Sequence, residues 1–222
     1  MKNLFKQFNK AFTLAEVLIT LVIIGVVAAL AISPLINTYV ESSTVSKVKK
    51  GLSMLGQAKK LAEVQNGSVE GWNFGEGNTA ETAAQFWQYI KPHLSISKDC
   101  GTGTDCYQDT GVYQLNGAFH KNYSTDDKFY KFILSDGSVM WLRTASSGRC
   151  SITEGGIDNV CACFFYDVNG DKKPNTFGRD VFLYVLNPDG VYPNMTDNCN
   201  KHSAGWGCTA YIIKNSNMKY LH

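Results

Sequence analysis

The chain has 222 residues, is 44% hydrophobic and 12% aromatic, and carries a formal charge of +2. That length holds one membrane segment plus one globular domain with a core of its own, and the apolar content excludes a disordered chain. Lys2, Lys6 and Lys10 all precede Phe12; without them 18 basic residues face 19 acidic ones, so no basic field remains and no nucleic-acid partner is expected.

After the basic leader comes Ala11-Phe12-Thr13-Leu14-Ala15-Glu16-Val17-Leu18-Ile19, and the apolar run continues to Ile36. Residues 17–38 contain no charge. At ~1.5 Å rise per residue, roughly 20 helical residues cross a bilayer core, and a helix satisfies its own backbone there. The leading lysines hold the N-terminus on the cytoplasmic side and send the remainder outward. Gly25 leaves a small spot for close helix approach, and Pro34 removes a donor and is expected to kink or loosen the helix. A secretory signal peptide is one reading, since Ala29-Leu30-Ala31 resembles a cleavage site. The apolar run passes that site, however, and Glu16 interrupts its start. A plain membrane anchor explains the length but gives no reason for Glu16, and a lone acid in such a segment points to function.

The segment from Ala11 to Ile19 resembles the processing motif of type IV prepilins and type II secretion pseudopilins. The resemblance covers about the first fifty residues. It implies that a membrane aspartyl prepilin peptidase cuts between Ala11 and Phe12 and methylates the new amino group of Phe12. Ala11 stands where the family usually has Gly. Pro34 stands one position after the usual proline, where this chain has Ser33. The resemblance also implies that Glu16 pairs with the Phe12 amine of a neighbouring subunit during assembly. A carboxylate left alone in the bilayer costs about 2.5–3.5 kcal/mol on insertion scales. An opposite charge at ~4 Å offsets this by several kcal/mol at an effective dielectric of about 20. The pair would set register while the apolar helix supplies packing.

From 37 to 65 the pattern stays helical but becomes amphipathic, with Val45, Val48, Leu52, Leu55, Ala58 and Ala62 at spacings of three and four. Lys47, Lys49, Lys50, Lys59 and Lys60 lie mainly off that stripe. Asn66-Gly67 is a stop signal, and 67–78 reads as a glycine-rich loop. Asn78-Thr79-Ala80-Glu81 resembles a capping box ahead of a second helix over 79–91, with Pro92 ending it. From Val112 onward strands and turns dominate. Hairpins are expected at Asp136-Gly137 and Asp189-Gly190, a strand over 160–168, and a last strand over 209–213. The expected fold is α+β and pilin-like: a long N-terminal helix, membrane-spanning then amphipathic, packed on an antiparallel β-sheet.

Seven cysteines, at 100, 106, 150, 161, 163, 199 and 208, all follow the apolar segment. This distribution fits export to an oxidising space, with up to three disulfides and one thiol left over. Cys100 with Cys106 and Cys199 with Cys208 are the preferred local pairs. Cys150 can take Cys161 or Cys163, which a continuous strand would point to one face. Zinc is disfavoured by the Cys161-x-Cys163 spacing and by scattered histidines, and redox chemistry by the absence of C-x-x-C. Asp167, Asn169, Asp171 and Asp180 resemble the start of a calcium loop, although Lys172 and Gly178 occupy positions where an EF-hand needs Gly and Glu. Turn-forming side chains bonding their own backbone are the competing reading. Similar loops occur in pseudopilin-type proteins, some of which hold calcium. No G-x-S-x-G, H-E-x-x-H or P-loop is present, so no enzyme is expected. Trp72 and Trp206 look exposed, available to a partner or for packing.

The expected organisation is a leader over 1–11, a transmembrane and assembly helix over 12–36, its amphipathic continuation over 37–66, and an extracytoplasmic domain over 67–222. The resemblance implies an inner-membrane subunit that enters a type IV pilus-like or type II secretion filament. Its partners would be prepilin peptidase, other pilin or pseudopilin subunits, the inner-membrane assembly machinery and membrane lipid. The Asp-rich segment alone favours the type II secretion branch. The alternative is a signal-anchored or secreted binding domain that does not polymerise.

Overall fold

A computed structural model describes residues 12–104, 106, 111–147, 149–170 and 172–222, with backbone alone at Ser33 and Pro34. The leader, Ala11, Asp171 and the Pro34 side chain therefore lie outside the described residues. Helix α1 is assigned over Leu14–Asn66. The chain divides into two compact units after Ser42. In the first unit the described side chains are exposed, apart from half-exposed Ala28 and Glu41. Helix α1 is long and apolar enough to cross a membrane.

The second unit has a core of its own. Here α1 buries Val45, Val48, Leu55, Ala58 and Ala62, one face of a 3.6-residue period. Gly51 lies on the same face, where a Cβ would come within 2.9 Å of Tyr184 Oη and 3.0 Å of the Tyr166 ring. The bare backbone there lets the Tyr184 hydroxyl donate to Val48 O at 2.7 Å. Lys59 is not off the buried stripe as expected. It is 3% exposed, its Nζ donates to Pro188 O at 2.7 Å, and it pairs with Glu63 at 2.7 Å. An amine needs such partners to be buried at all. The helix stops at Asn66, where Gly67 takes a φ of +78° and its N–H returns to Glu63 O.

Helix α2, Ala80–Ile90, turns Ala83, Phe86, Trp87 and Ile90 inward. Its capping box sits one residue later than Asn78 and Glu81 suggest: Thr79 is the N-cap and Thr82 answers it, each hydroxyl accepting the other's backbone N–H at 3.1 Å. Thr82 Oγ1 also meets Thr144 Oγ1 at 2.7 Å, so Thr82 is buried against the sheet while Thr79 and Glu81 stay in solvent.

The main sheet has six antiparallel strands in the order β1-β4-β5-β8-β9-β10. These are β1 (Ile96–Gly101), β4 (Tyr130–Leu134), β5 (Val139–Thr144), β8 (Ala162–Asp167), β9 (Val181–Asn187) and β10 (Gly190–Pro193). Strands β2 (Val112–Tyr113) and β3 (Phe119–Lys121) pair separately, as do β6 (Ile152–Glu154) and β7 (Ile157–Val160). Strands β8 and β9 are buried at every position. Their residues alternate between two cores. Ala162, Phe164, Tyr166, Phe182, Tyr184 and Leu186 face the helices. Cys163, Phe165, Val181, Leu183 and Val185 face a second, aromatic cluster built with Tyr123, Phe129, Trp141 and Phe177. The sheet is thus covered on both faces, by helices on one and by loops on the other.

Three expectations are corrected here. Residues 209–213 are not a strand: α3 spans Cys208–Asn215, with Cys208, Thr209 and Ile212 buried at helical spacing. A strand would have turned Thr209, Tyr211 and Ile213 to one face; instead Thr209 Oγ1 takes the N–H of Leu183 at 2.9 Å. Cys161 and Cys163 do not share a face. Cys161 precedes β8 and lies in the helix-side core, whereas Cys163 lies in the opposite one. Trp72 is buried, stacked on Tyr89 with centroids 4.6 Å apart and donating from Nε1 to Gly67 O at 2.8 Å.

Candidate functional site

The chemistry of the N-terminal motif begins with Thr13. It stands just before α1, and Glu16 is three residues on, the T-x-x-E spacing of a capping box. Glu16 Oε2 accepts from Thr13 N and from Thr13 Oγ1, each at 2.8 Å, and Thr13 Oγ1 accepts from Glu16 N at 3.2 Å. The first turn of a helix has donors without intrahelical partners, and it favours a negative charge. Glu16 therefore has a place within its own chain: it closes the helix end. Phe12 stands beside it, 84% exposed. The T-x-x-E spacing was readable in the sequence, and it gives Thr13 a role that the motif reading left out. Ala11 lies outside the described residues. Helix α1 is helical through position 34, and the Pro34 side chain is not described.

The cysteines form three bridges: Cys100–Cys106, Cys150–Cys161 and Cys199–Cys208. Cys163 remains a buried free thiol. Burial pushes its thiol up to about 12, with Arg143 pulling in the opposite sense. The thiolate, which is the reactive form, is therefore suppressed at neutral pH.

In the Asp-rich loop the structure brings Asp167, Asn169 and Asp180 together, while Asp171 lies outside the described residues. Asp167 Oδ1 accepts from Asn169 N at 3.1 Å. Asp180 accepts from Asn169 Nδ2 at 3.1 Å, Asn175 N at 2.9 Å and Thr176 N at 2.6 Å. Burial nevertheless raises its carboxyl to about 6. The loop is thus tied by its own hydrogen bonds, as turn residues do. Among the described residues no three Asp, Glu, His or Cys side chains gather as a metal cluster. The buried Asn169 Oδ1 has no hydrogen-bond partner among them.

Comparison with known families matches residues 6–32 to the prokaryotic N-terminal methylation motif. The match spans Phe12, Thr13 and Glu16 and most of the apolar run. Comparison with curated proteins and with solved structures yields no match. Beyond the motif, then, the fold of the second unit is described by its own geometry alone. The chain carries the N-terminal methylation motif on an apolar helix that leads into an α+β unit with a six-stranded antiparallel sheet, an arrangement consistent with a type IV prepilin or pseudopilin.

Proposed function

We propose that the protein is a structural subunit of a type II secretion pseudopilus or type IV pilus-like filament. The observation that carries this reading is the motif over 6–32 on a helix whose first part is exposed on all sides. In this reading the leader, residues 1–11, is removed between Ala11 and Phe12, and Phe12 is N-methylated. Residues 12–36 hold the subunit in the inner membrane and then pack in the filament. Residues 37–66 continue the helix, and 67–222 form the domain outside the cytoplasm. The protein is then the peptidase's substrate rather than an enzyme, and its partners are sister subunits and the inner-membrane assembly machinery.

The capping box gives the assembly step a physical sequence. Before docking, Glu16 is satisfied by Thr13 of its own chain. On docking, the Phe12 amine of a neighbour adds a full opposite charge, which a neutral hydroxyl does not. A misplaced neighbour offers no amine and gains nothing. N-terminal sequencing and mass spectrometry of the mature protein test the reading: the expected first residue is N-methylated Phe12. A start at Ile32 would instead make it an ordinary secreted protein, and an intact Met1 an unprocessed anchor that does not polymerise.

Calcium at Asp167, Asn169, Asp171 and Asp180 is the second element of this proposal, supported by the unpaired Asn169 Oδ1 beside Asp180. These oxygens are of the type calcium takes. Added calcium is expected to raise the melting temperature of the detergent-solubilised chain, and Asp167→Ala to abolish the rise. No response in the wild type would remove calcium from the proposal.

A further inference from the structure

The sheet face turned away from Val48, Leu55 and Ala58 carries a concavity of about 260 Å³. Its floor is aromatic and aliphatic: Phe165 on β8, Leu183 on β9, and Tyr123 with Phe129 between β3 and β4. Its polar groups come from five separate segments. Asn78 precedes α2, His120 lies on β3, Arg143 on β5, Glu154 on β6, and Trp206 precedes α3. An apolar floor with a few converging polar groups is the usual make-up of a small-molecule site.

Two of those groups are unfinished. Asn78 Oδ1, an acceptor, and Trp206 Nε1, a donor, are buried and have no hydrogen-bond partner among the described residues. Buried polar atoms in native proteins are rarely left so, and each such atom calls for a partner. The charged groups, by contrast, are already paired. Arg143 Nη2 meets Glu154 Oε2 at 2.8 Å, and Lys121 is ion-paired with Asp126. Lys121 Nζ also lies 5.3 Å from the Phe129 ring centroid and 5.9 Å from that of Tyr123. A cationic ligand would compete with Lys121 for those ring faces. An anion would have to draw Arg143 away from Glu154. Burial and Lys121 hold His120 below its ordinary pKa, which favours the uncharged imidazole.

What remains is a neutral ligand that both donates and accepts and has an apolar face. A hydroxyl does both. The volume lies just below the ~300–1,000 Å³ of drug-sized pockets, which admits one ring and excludes a longer chain. We infer that this cavity binds the neutral ring of a monosaccharide, free or as the terminal unit of a glycan, with Asn78 Oδ1 accepting from one hydroxyl and Trp206 Nε1 donating to another. Every residue involved lies in the second unit, so the inference stands independently of filament assembly.

The test uses the detergent-solubilised full chain and a panel of neutral methyl glycosides: glucoside, galactoside, mannoside and N-acetylglucosaminide. Binding is read by saturation-transfer NMR on the ligand and by tryptophan fluorescence of the wild type. At least one glycoside is expected to bind saturably. Trp206→Phe, which keeps an aromatic ring and loses the N–H, and Asn78→Ala are each expected to weaken it about tenfold at unchanged melting temperature. Tighter binding of an oligosaccharide ending in the same sugar identifies the glycan terminus as the source; equal or weaker binding identifies the free sugar. The inference is overturned if no glycoside saturates the wild type, a result that needs no variant to fold. It is also overturned if both variants bind as the wild type does, or if choline or acetate displaces the sugar from the cavity.

Discussion

Two stretches of α1 carry similar apolar residues and treat them in opposite ways. Up to Ser42 they are arranged around the whole circumference and are exposed; from Val45 onward they form one stripe and are buried. A helix apolar on every side needs an apolar surrounding, lipid or other helices, whereas one with a stripe needs a single packed face. The first stretch is thus left exposed among the described residues, whereas the second packs in the chain's own core. Local features follow the same division: Gly25 meets nothing within 4 Å, but Gly51 sits against Tyr166 and Tyr184.

Charge in each stretch gives the largest contrast. Val48 is fully buried, so Val48→Asp places an unpaired carboxylate in the core and is expected to cost at least about 4 kcal/mol, enough to unfold the second unit. Glu16→Ala should leave the thermal unfolding of that unit unchanged and still permit insertion and cleavage, while filament yield collapses. Filaments at wild-type yield would break the role given to Glu16. Circular dichroism with temperature and filament shearing assays read the two outcomes.

The glycines give a smaller difference. Gly51→Ala crowds Tyr184 Oη and the Tyr166 ring and is expected to lower stability by about 1–3 kcal/mol. Gly25→Ala finds open space and should not change subunit stability, so any loss of filaments it causes must arise between subunits. Next come the caps. Thr79→Ala removes the acceptor that caps α2, a helix whose inner face packs in the core, and is expected to cost about 1 kcal/mol in denaturant unfolding. Thr13→Ala, at the exposed box, should leave denaturant unfolding of the second unit unchanged and act only on assembly.

The smallest effect is with pH. Burial raises the Asp136 carboxyl, but hydrogen bonds from Lys50 and Ser138 outweigh it and hold it at about 2, below its ordinary 3.8. Such a group binds protons more readily in the unfolded chain, so its contribution is present above pH 3.8 and is lost as pH falls toward 2. Lys50 is largely exposed, which keeps the contribution below about 1 kcal/mol. Asp136→Asn should flatten stability against pH in that window, read by melts between pH 2 and 5. An unchanged slope would show that the ion pair contributes nothing.

Legibility from sequence followed the range of the interactions. The hairpins β4–β5 and β9–β10 were readable because Asp136-Gly137 and Asp189-Gly190 lie between short apolar runs, and turn chemistry is local. Gly155-Gly156 between β6 and β7 is an equally local signal, with φ of +63° and +76°. Strand β1 had none: Ile96-Ser97-Lys98-Asp99-Cys100-Gly101 lacks alternation, and it is an edge strand with two register shifts. Residues 209–213 are β-branched and aromatic enough to pass for a strand. They became a helix because Thr209 and Ile212 find partners on β9 and in the helix-side core.

By itself the sequence determined the apolar helix, the acid near its start, the motif around them and an α+β plan, because each depends on composition or on spacings of a few residues. Only the tertiary structure decided which face each cysteine takes, that Lys59 and Trp72 are buried, and that the sheet is covered on both sides. It alone gathered Asn78, His120, Arg143, Glu154 and Trp206 around one cavity. Those outcomes depend on contacts between residues tens of positions apart, and neither periodicity nor a local motif carries information about them.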